Sequence, residues 1–564
     1  MAALCGIPLL VACAGPASGP SPTPRSGGTL RLLTDRPIAR LDPQRLTPGV
    51  EAALVLRTVT RTLTGYPAGG VGGAAALRGD LATDTGQVAE GGKQWSFTVR
   101  DGVRWEDGAP VTCEDVRYGV SRSFDRDQIG GGLPYPATLL DIPVVKDPAG
   151  ADASAYAGPY LGTGQDYFDE AVTCDGPRIT FRLKLALPDF PAIVALPVFA
   201  PYRATVDRGA QGGLDVHSCG PYRLAAPWAP RAGGRFVRNP NWAPDSDPLR
   251  RAFPDVIEVQ ENVPVDQVVA RISGDSGADA AALSLTDLPP AWHRQLTQAG
   301  LSARMSNPRS GAVELLHPNF TVRPMSEPLA RQALAMATDR VAFAAAYGPG
   351  VLTPTFSALA FDVPGAGQTS PFDTPLTGDP DAARARLVDA ALALPVPVRV
   401  AYRSSPGADA GFAALLPGWQ RAGFAPVLHP VSGDYLQVIS RPAAGQAYDV
   451  FRSVWYADYP SPGAVLPLLF DGRSNLSAEG TGRDYGSFDD AGVNTAMESA
   501  GALLDPAARA AAWGEVDLRI ARLGGHIALG ERRRLFVHGS AVLGYADNPL
   551  LWGWPDLAEI SVAK

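Results

Sequence analysis

Short strand patterns and helix patterns alternate along almost the whole of this chain, and this alternation limits the possible folds most strongly. Residues 95–99 place large apolar side chains at every second position, as a half-buried strand does. Thr112, with Asp115 three positions later, predicts a capped helix over residues 113–124. A second capped helix is predicted over residues 506–523. Strands and helices interleaved in this way indicate α/β layers rather than a sandwich or a helix bundle.

Two further patterns make definite structural predictions. Residues 222–224 and 235–238 have the alternation of two strands, and they predict one hairpin. Glu327 to Tyr347 carries apolar residues at helical spacing and predicts a single long helix.

Composition excludes several classes of protein. The 564 residues are 46% hydrophobic and 19% charged, with a formal net charge of −8. Intrinsic disorder requires lower hydrophobicity and higher net charge, so the chain is expected to bury a large core. A nucleic-acid partner would require a basic surface, which this acidic balance does not favour. No apolar run reaches the roughly 18 residues that a transmembrane helix needs.

The N-terminus has the pattern of an export signal. Residues 2–12 are apolar and uncharged, and the segment Leu10-Val-Ala-Cys13 resembles the lipobox of bacterial lipoproteins. This resemblance implies a signal peptide over residues 1–13 and a lipid anchor on Cys13. Residues 14–26 are rich in proline, serine and glycine and are expected to form a flexible tether. The mature protein is therefore expected outside the cytoplasm, lipid-anchored to the cell membrane.

The cysteine count agrees with export. Besides Cys5 and Cys13, the chain contains Cys113, Cys174 and Cys219, which permit one disulfide and leave one thiol over. An exported location allows such a bond to persist. The spacing contains no Cys-x-x-Cys or Cys/His ligand pattern, which argues against a zinc site. We expect no metal and no cofactor.

Six segments in order are similar to the family-5 solute-binding proteins of bacterial ABC importers, the oligopeptide- and dipeptide-binding group. They cover nearly the whole mature chain, and the longest reads WSFTVRDGVRWEDGAPVTCEDVRY. The six segments are Gly27–Pro43, Trp95–Tyr118, Gly220–Tyr222, Arg238–Trp242, Arg331–Arg340 and Trp455–Pro460.

This resemblance implies a class II periplasmic-binding-protein fold of two lobes that close around a cleft, with an additional domain inserted in one lobe. The implied divisions are lobe one at residues 27–67, 189–305 and 528–564, the inserted domain at residues 68–188, and lobe two at residues 306–527. Relatives also carry cysteines like Cys113 and Cys174, which implies a disulfide between these two and leaves Cys219 as the free, buried thiol.

The same resemblance implies the ligand site. Asp458 matches an aspartate that pairs with the α-ammonium group of a bound peptide, a charge that needs an anionic partner in a closed cleft. Trp455 and Tyr456 flank it, and each either contacts the ligand or fills the core. Tyr135 resembles a tyrosine that reaches the ligand from the inserted domain. Thr34 lies where relatives make main-chain contacts, although an ordinary loop explains it as well.

Two charged segments are interpreted as structural. The helix with Arg331, Asp339 and Arg340 is expected to stabilise the fold, and the run Arg532–Arg534 is expected to be a solvated surface. The six histidines form no H-E-x-x-H array, and the chain contains neither a Gly-x-Ser-x-Gly segment nor a P-loop. No catalytic residue is therefore proposed.

The sequence thus predicts a monomeric receptor that delivers peptides to an ABC permease and its ATPase. One alternative is another solute, such as an oligosaccharide, nickel or a metal chelate. A second is a receptor whose solute serves signalling or biosynthesis.

Overall fold

The computed structural model describes residues 24–70, 73–147, 150–441, 443–477 and 480–563. The predicted signal peptide, Cys13 and most of the tether lie outside these described residues. Among the described residues, no helix combines the length and the apolar character needed to cross a membrane.

The first large sheet has five strands and contains the first strand of the described chain. Thr29–Leu33 is flanked by two parallel strands, and Leu30 and Leu32 are fully buried. The predicted hairpin is confirmed, with Tyr222 opposite Arg238. In spatial order the strands are Tyr222–Leu224, Gly233–Arg238, Val256–Gln260, Thr29–Leu33 and Ala282–Ser284.

The second large sheet has six strands and is covered by helices on both faces. In spatial order the strands are Leu352–Thr353, Ile527–Arg533, Arg309–Pro318, Val450–Tyr456, Val396–Arg403 and Phe424–Val431. Helices Pro328–Ala337, Arg340–Tyr347, Pro380–Asp389 and Pro406–Ala422 form one apolar core with this sheet. Helices Leu466–Phe470, Ala491–Ala502 and Pro506–Arg522 form a second core with it. Apolar residues of the sheet therefore pack against helices in two separate cores.

A smaller sheet has four strands. In the sequence they come after strand Thr29–Leu33 and before the other four strands of the first sheet. Its strands are, in spatial order, Gln87–Ala89, Gln94–Thr98, Arg178–Arg182 and Val172–Asp175. Helix Cys113–Arg122 packs beside it and begins with the predicted capping box between Thr112 and Asp115. Cys113 and Cys174 form a disulfide that ties the start of this helix to an edge strand, and Cys219 is a buried free thiol.

The predicted helix from Glu327 to Tyr347 is wrong in one respect, because it is two helices. The first ends at Ala337, and Thr338 has extended backbone angles. Asp339 then caps the second helix by accepting the N–H of Ala342. The turn brings the buried Arg340 guanidinium within 2.8 Å of the Ala528 carbonyl oxygen, so the break serves packing against the second sheet.

The chain passes between the two large sheets through a pair of short antiparallel strands. Met305–Ser306 leads into the second sheet and pairs with Phe536–Val537, which leads out of it. The boundary predicted at residues 527/528 lies inside strand Ile527–Arg533, and the chain leaves the second sheet only after Arg533. The other predicted domain boundaries stay predictions.

Candidate functional site

A cavity of about 770 Å³ lies between the end of the first sheet and the end of the second. The loop at residues 287–293, which follows strand Ala282–Ser284, forms one wall. The second sheet contributes Val454, Tyr456 and residues 532–534 to the opposite walls. Ligand sites in α/β proteins are clefts of this size at the ends of strands, so this cavity is the candidate binding site.

One strand presents an unpaired edge to the cavity. Val450–Tyr456 pairs along its whole length with strand Arg309–Pro318, but its other neighbour is in register only at Val450 and Phe451. Beyond that point the hydroxyl of Tyr435 lies between the strands and accepts the N–H of Arg452 at 3.0 Å. Residues 454–456 therefore pair on one side only within the described chain. Such an edge can accept an extended ligand backbone as an additional strand.

Asp458 follows this strand and is partly buried. Its Oδ2 accepts the hydroxyl of Tyr135 at 2.8 Å. Burial raises the pKa of Asp458, while the Tyr135 hydrogen bond and the nearby positive charge of Arg483 act in the opposite direction. The carboxylate lines two small cavities of about 40 and 30 Å³ rather than the large one. It is thus a poorly solvated carboxyl group two positions beyond the edge that faces the cavity.

Tyr135 connects the two halves of the molecule at this point. It begins the short helix Tyr135–Leu139, and its ring packs edge-on against Tyr459 with centroids 5.7 Å apart. Its hydroxyl proton is used on Asp458, so in this geometry Tyr135 positions the carboxylate.

The two aromatic residues before Asp458 point to opposite faces of the strand. Tyr456 lines the large cavity and is 37% exposed. Trp455 packs against the core of the second lobe, and its indole N–H donates to the Ala464 carbonyl oxygen at 3.1 Å. The Arg483 guanidinium lies 4.8 Å from the Trp455 ring centroid. The alternation of a strand explains why only one of the two faces the cavity.

Thr34 does not reach the cavity. It is 4% exposed, and its hydroxyl exchanges hydrogen bonds with the backbone of Arg36 in a local turn. Its backbone N–H donates to the Gln260 carbonyl oxygen and its own carbonyl oxygen accepts the N–H of Val263, each at 3.0 Å. The predicted main-chain contact between Thr34 and a ligand stays a prediction.

The run Arg532–Arg534 is not the solvated surface that the sequence suggests, because all three residues line the cavity. Arg532 donates to Glu314 at 2.6 Å, and Glu314 is fully buried. The sequence contains one signal for the pair of Glu314 and Arg532. Glu314 is the single charged residue in the apolar run Val313 to Leu316, and a buried charge is rare unless it has a partner of opposite charge. The sequence interpretation missed it.

The match to a family model decides the classification. The model of the bacterial extracellular solute-binding proteins, family 5, matches residues 76–477. The chain belongs to this family. No group of three or more metal-ligating side chains occurs within the described parts of this family member.

Solved structures confirm the predicted two-lobed α/β fold. The clavulanic acid biosynthesis oligopeptide binding protein 2 is 29% identical, covers 96% of this chain and 97% of its own, and superposes with a TM-score of 0.83. The unliganded open form of the murein tripeptide-binding protein MppA gives 17% identity, coverage of 97% and 99%, and a TM-score of 0.73. Haemophilus influenzae OppA, solved with the peptide RPPGFSPFR, is 18% identical. It covers 96% of this chain and 100% of its own, with a TM-score of 0.64. The last two show the fold alone.

Curated relatives match over shorter segments. The probable D,D-dipeptide-binding periplasmic protein of Escherichia coli K12 is 34% identical over 107 residues, which are 18% of this chain and 20% of the relative. The oligopeptide-binding protein OppA of Bacillus subtilis 168 is 24% identical over 184 residues, 31% of this chain and 30% of the relative. The matched parts therefore span a fifth to a third of these relatives.

Proposed function

We propose that this family-5 protein is the peptide receptor of an ABC importer. It is held on the extracytoplasmic face of the membrane by a lipid on Cys13, works as a monomer, and passes peptides to a permease and its ATPase. It uses no catalytic residue, metal or cofactor. The observation that carries the proposal is the combination of an unpaired strand edge with a partly buried carboxylate, Asp458, just beyond it.

The two parts of this arrangement match the two invariant parts of a peptide. The edge at residues 454–456 offers backbone N–H and C=O groups to a main chain, and such bonds do not depend on side-chain identity. Asp458 offers a negative charge to the α-ammonium group, which must lose water when the lobes close. A neutral oligosaccharide has no group that matches this charge.

The raised pKa of Asp458 makes binding pH-dependent in the acid range. An ammonium group pairs with the ionised carboxylate, and burial raises this pKa from its ordinary value of 3.8. As the pH falls through the raised pKa, Asp458 takes up a proton, and the affinity for trialanine should fall by up to about tenfold per further pH unit. Calorimetric titrations from about pH 7 down to about pH 4, near the ordinary carboxyl value, measure this fall.

The Asp458→Asn variant is the control for this titration and should bind weakly without that pH dependence. Asp484 does not confuse the result, because burial raises its pKa to about 8 and it is already protonated throughout this range. An equal loss of affinity in both proteins on acidification would assign the effect to another group.

Native mass spectrometry of the purified protein tests the function itself. A series of co-purified masses that fragment as peptides, together with trialanine binding by calorimetry, is the expected result. A single non-peptide mass, with no peptide bound, would contradict the proposal.

A second candidate function is delivery of a solute to a biosynthetic pathway. It is favoured by one observation, the 29% identity over nearly the whole length to a protein named for clavulanic acid biosynthesis and oligopeptide binding. Deleting the gene distinguishes the two. Loss of growth on peptides as a nitrogen source supports uptake, and loss of a secreted product with normal growth on peptides supports biosynthesis.

A further inference from the structure

Two arginines project from the outward face of the hairpin in the first sheet. Arg223 and Arg235 alternate with the buried Tyr222 and Phe236, so they lie on the face that points away from the core. Arg223 pairs directly with Val237, which makes Arg235 its diagonal neighbour about 7–8 Å away. Within the described residues neither of these two hairpin arginines forms an ion pair. Two like charges are therefore held close together without an anion.

The acidic residues nearby are already paired with other arginines. Glu258 lies opposite Arg235 on the next strand, but its carboxylate is 3.5 Å from the guanidinium of Arg31. Asp255, at the end of the same sheet, is 3.0 Å from the guanidinium of Arg238. The hairpin arginines thus give this face an excess of positive charge, although the whole chain has a formal net charge of −8.

The N-terminal segment enters the fold at the same end of the sheet. The N–H of Gly27 donates to the carbonyl oxygen of Phe253 at 2.8 Å, and Nη2 of Arg238 donates to that oxygen at 2.6 Å. One row of paired residues connects this point with the hairpin: Thr29, Val256, Val237 and Arg223. Neighbouring strands are about 4.8 Å apart, so Arg223 lies about 14 Å from Thr29.

The length of chain before this point limits which face can meet a membrane. Under the proposed function the lipid is on Cys13, 14 positions before Gly27. A chain of this length spans about 20 Å as a random coil and about 43 Å as polyproline II. Both are shorter than the roughly 60 Å diameter of a compact domain with this number of residues. The end of the first sheet is therefore held closer to the bilayer than the opposite side of the molecule.

We propose that the outward face of the first sheet, with the hairpin arginines at its centre, lies against an anionic lipid surface and orients the receptor on the membrane. Phosphate oxygens of lipid headgroups supply the anions that these guanidinium groups lack, and an arginine binds phosphate through two parallel hydrogen bonds. The attraction acts within about a Debye length, roughly 10 Å at 0.1 M salt. That the protein is anchored to this membrane rests on the proposed function, whereas the charge of the face rests on the sheet itself.

Vesicle flotation of the full chain without lipid tests this surface. Vesicles of phosphatidylcholine alone are compared with vesicles that contain about one-third phosphatidylglycerol, at low salt and at about 0.5 M NaCl. The proteins are the wild type, the double variant Arg223→Gln, Arg235→Gln, and the charge-retaining double variant Arg223→Lys, Arg235→Lys. The control is Arg294→Gln, Arg384→Gln, which removes two exposed arginines from helices Ala291–Gln298 and Pro380–Asp389.

The wild type and the control should bind the anionic vesicles about tenfold more tightly than the glutamine variant of the hairpin. The lysine variant should keep most of this affinity, and high salt should remove the difference because it screens the charges. All four proteins should bind phosphatidylcholine vesicles equally, since residues before Gly27 are the same in each of them.

Calorimetry with trialanine separates this surface from the peptide site. The hairpin arginines do not line the large cavity, so their glutamine variant should bind trialanine as tightly as the wild type does. Loss of trialanine binding in every protein would contradict the proposed peptide function and leave the vesicle result standing. A mature protein whose mass shows no lipid would contradict the anchor on Cys13 alone.

Three results would overturn the inference. The first is that the wild type does not bind anionic vesicles, or binds them no better than the glutamine variant does. The second is an equal loss of binding in the control, which would assign the effect to net charge rather than to this face. The third is unchanged vesicle binding with a loss of peptide uptake by cells that carry the glutamine variant, which would assign the face to an acidic protein surface.

Discussion

Replacing Asp458 by asparagine should weaken the binding of trialanine by about 2–5 kcal/mol, which is a factor of roughly thirty to several thousand in affinity. Under the proposed function, the ligand ammonium group exchanges water for the Asp458 carboxylate, to which the Tyr135 hydroxyl donates at 2.8 Å. In the variant the ammonium group meets a neutral amide in the same poorly solvated position. Most of the loss is the cost of leaving this charge unpaired.

Two variants make the test specific. Asp266→Asn changes an exposed carboxylate in the first turn of helix Val265–Gly274, and it should leave the affinity unchanged. Tyr135→Phe removes one hydrogen bond to Asp458 and should cost only about 1 kcal/mol of binding. Calorimetry measures the trialanine affinity of Asp458→Asn, Asp266→Asn and Tyr135→Phe beside that of the wild type. Equal affinity in Asp458→Asn and the wild type would assign the ammonium group to another partner.

Removing the disulfide with the double variant Cys113→Ser, Cys174→Ser should lower the free energy of unfolding by about 4 kcal/mol. The two cysteines are 61 positions apart, and their bond restricts the unfolded chain by closing a long loop. It also ties the first turn of helix Cys113–Arg122 to the edge of the four-stranded sheet. Urea unfolding, monitored by tryptophan fluorescence, measures the change.

Cys219→Ala is the matched control, because Cys219 is a buried free thiol outside this bond. It should cost about 1 kcal/mol, the effect of a small cavity. Reduction of the wild type should shift the transition by the same amount as the double variant. If the double variant unfolds with the same urea midpoint as the wild type, the bond contributes nothing to stability.

Local signals were sufficient wherever the structure depends on neighbouring residues. Thr112 and Asp115 predicted a helix start because a capping box is made within four positions. The hairpin that pairs Tyr222 with Arg238 also joins two strands that are neighbours in the chain. The break between Ala337 and Arg340 was missed although Asp339 is a local capping signal. The contact between Arg340 and Ala528 that goes with it spans 188 positions and has no local signal.

The candidate site divides in the same way. The segment from Trp455 to Asp458 was identified by its resemblance to a family, and strand alternation then decided that Tyr456 and not Trp455 faces the cavity. The role of the arginine run could not be read from the sequence. A run of three arginines looks the same in the sequence whether it lies on a solvated surface or on a cavity wall.

The sequence by itself determined the α/β class and the resemblance to solute-binding proteins, because hydrophobic periodicity and capping are properties of adjacent residues. Only the tertiary structure decided which charges are compensated. Glu314 meets Arg532 across 218 positions, whereas the guanidinium of Arg533, the next residue, donates to the neutral oxygens of Asn307. The energy of a charge depends on its partners and on its distance from water, and both are set by how distant segments pack together.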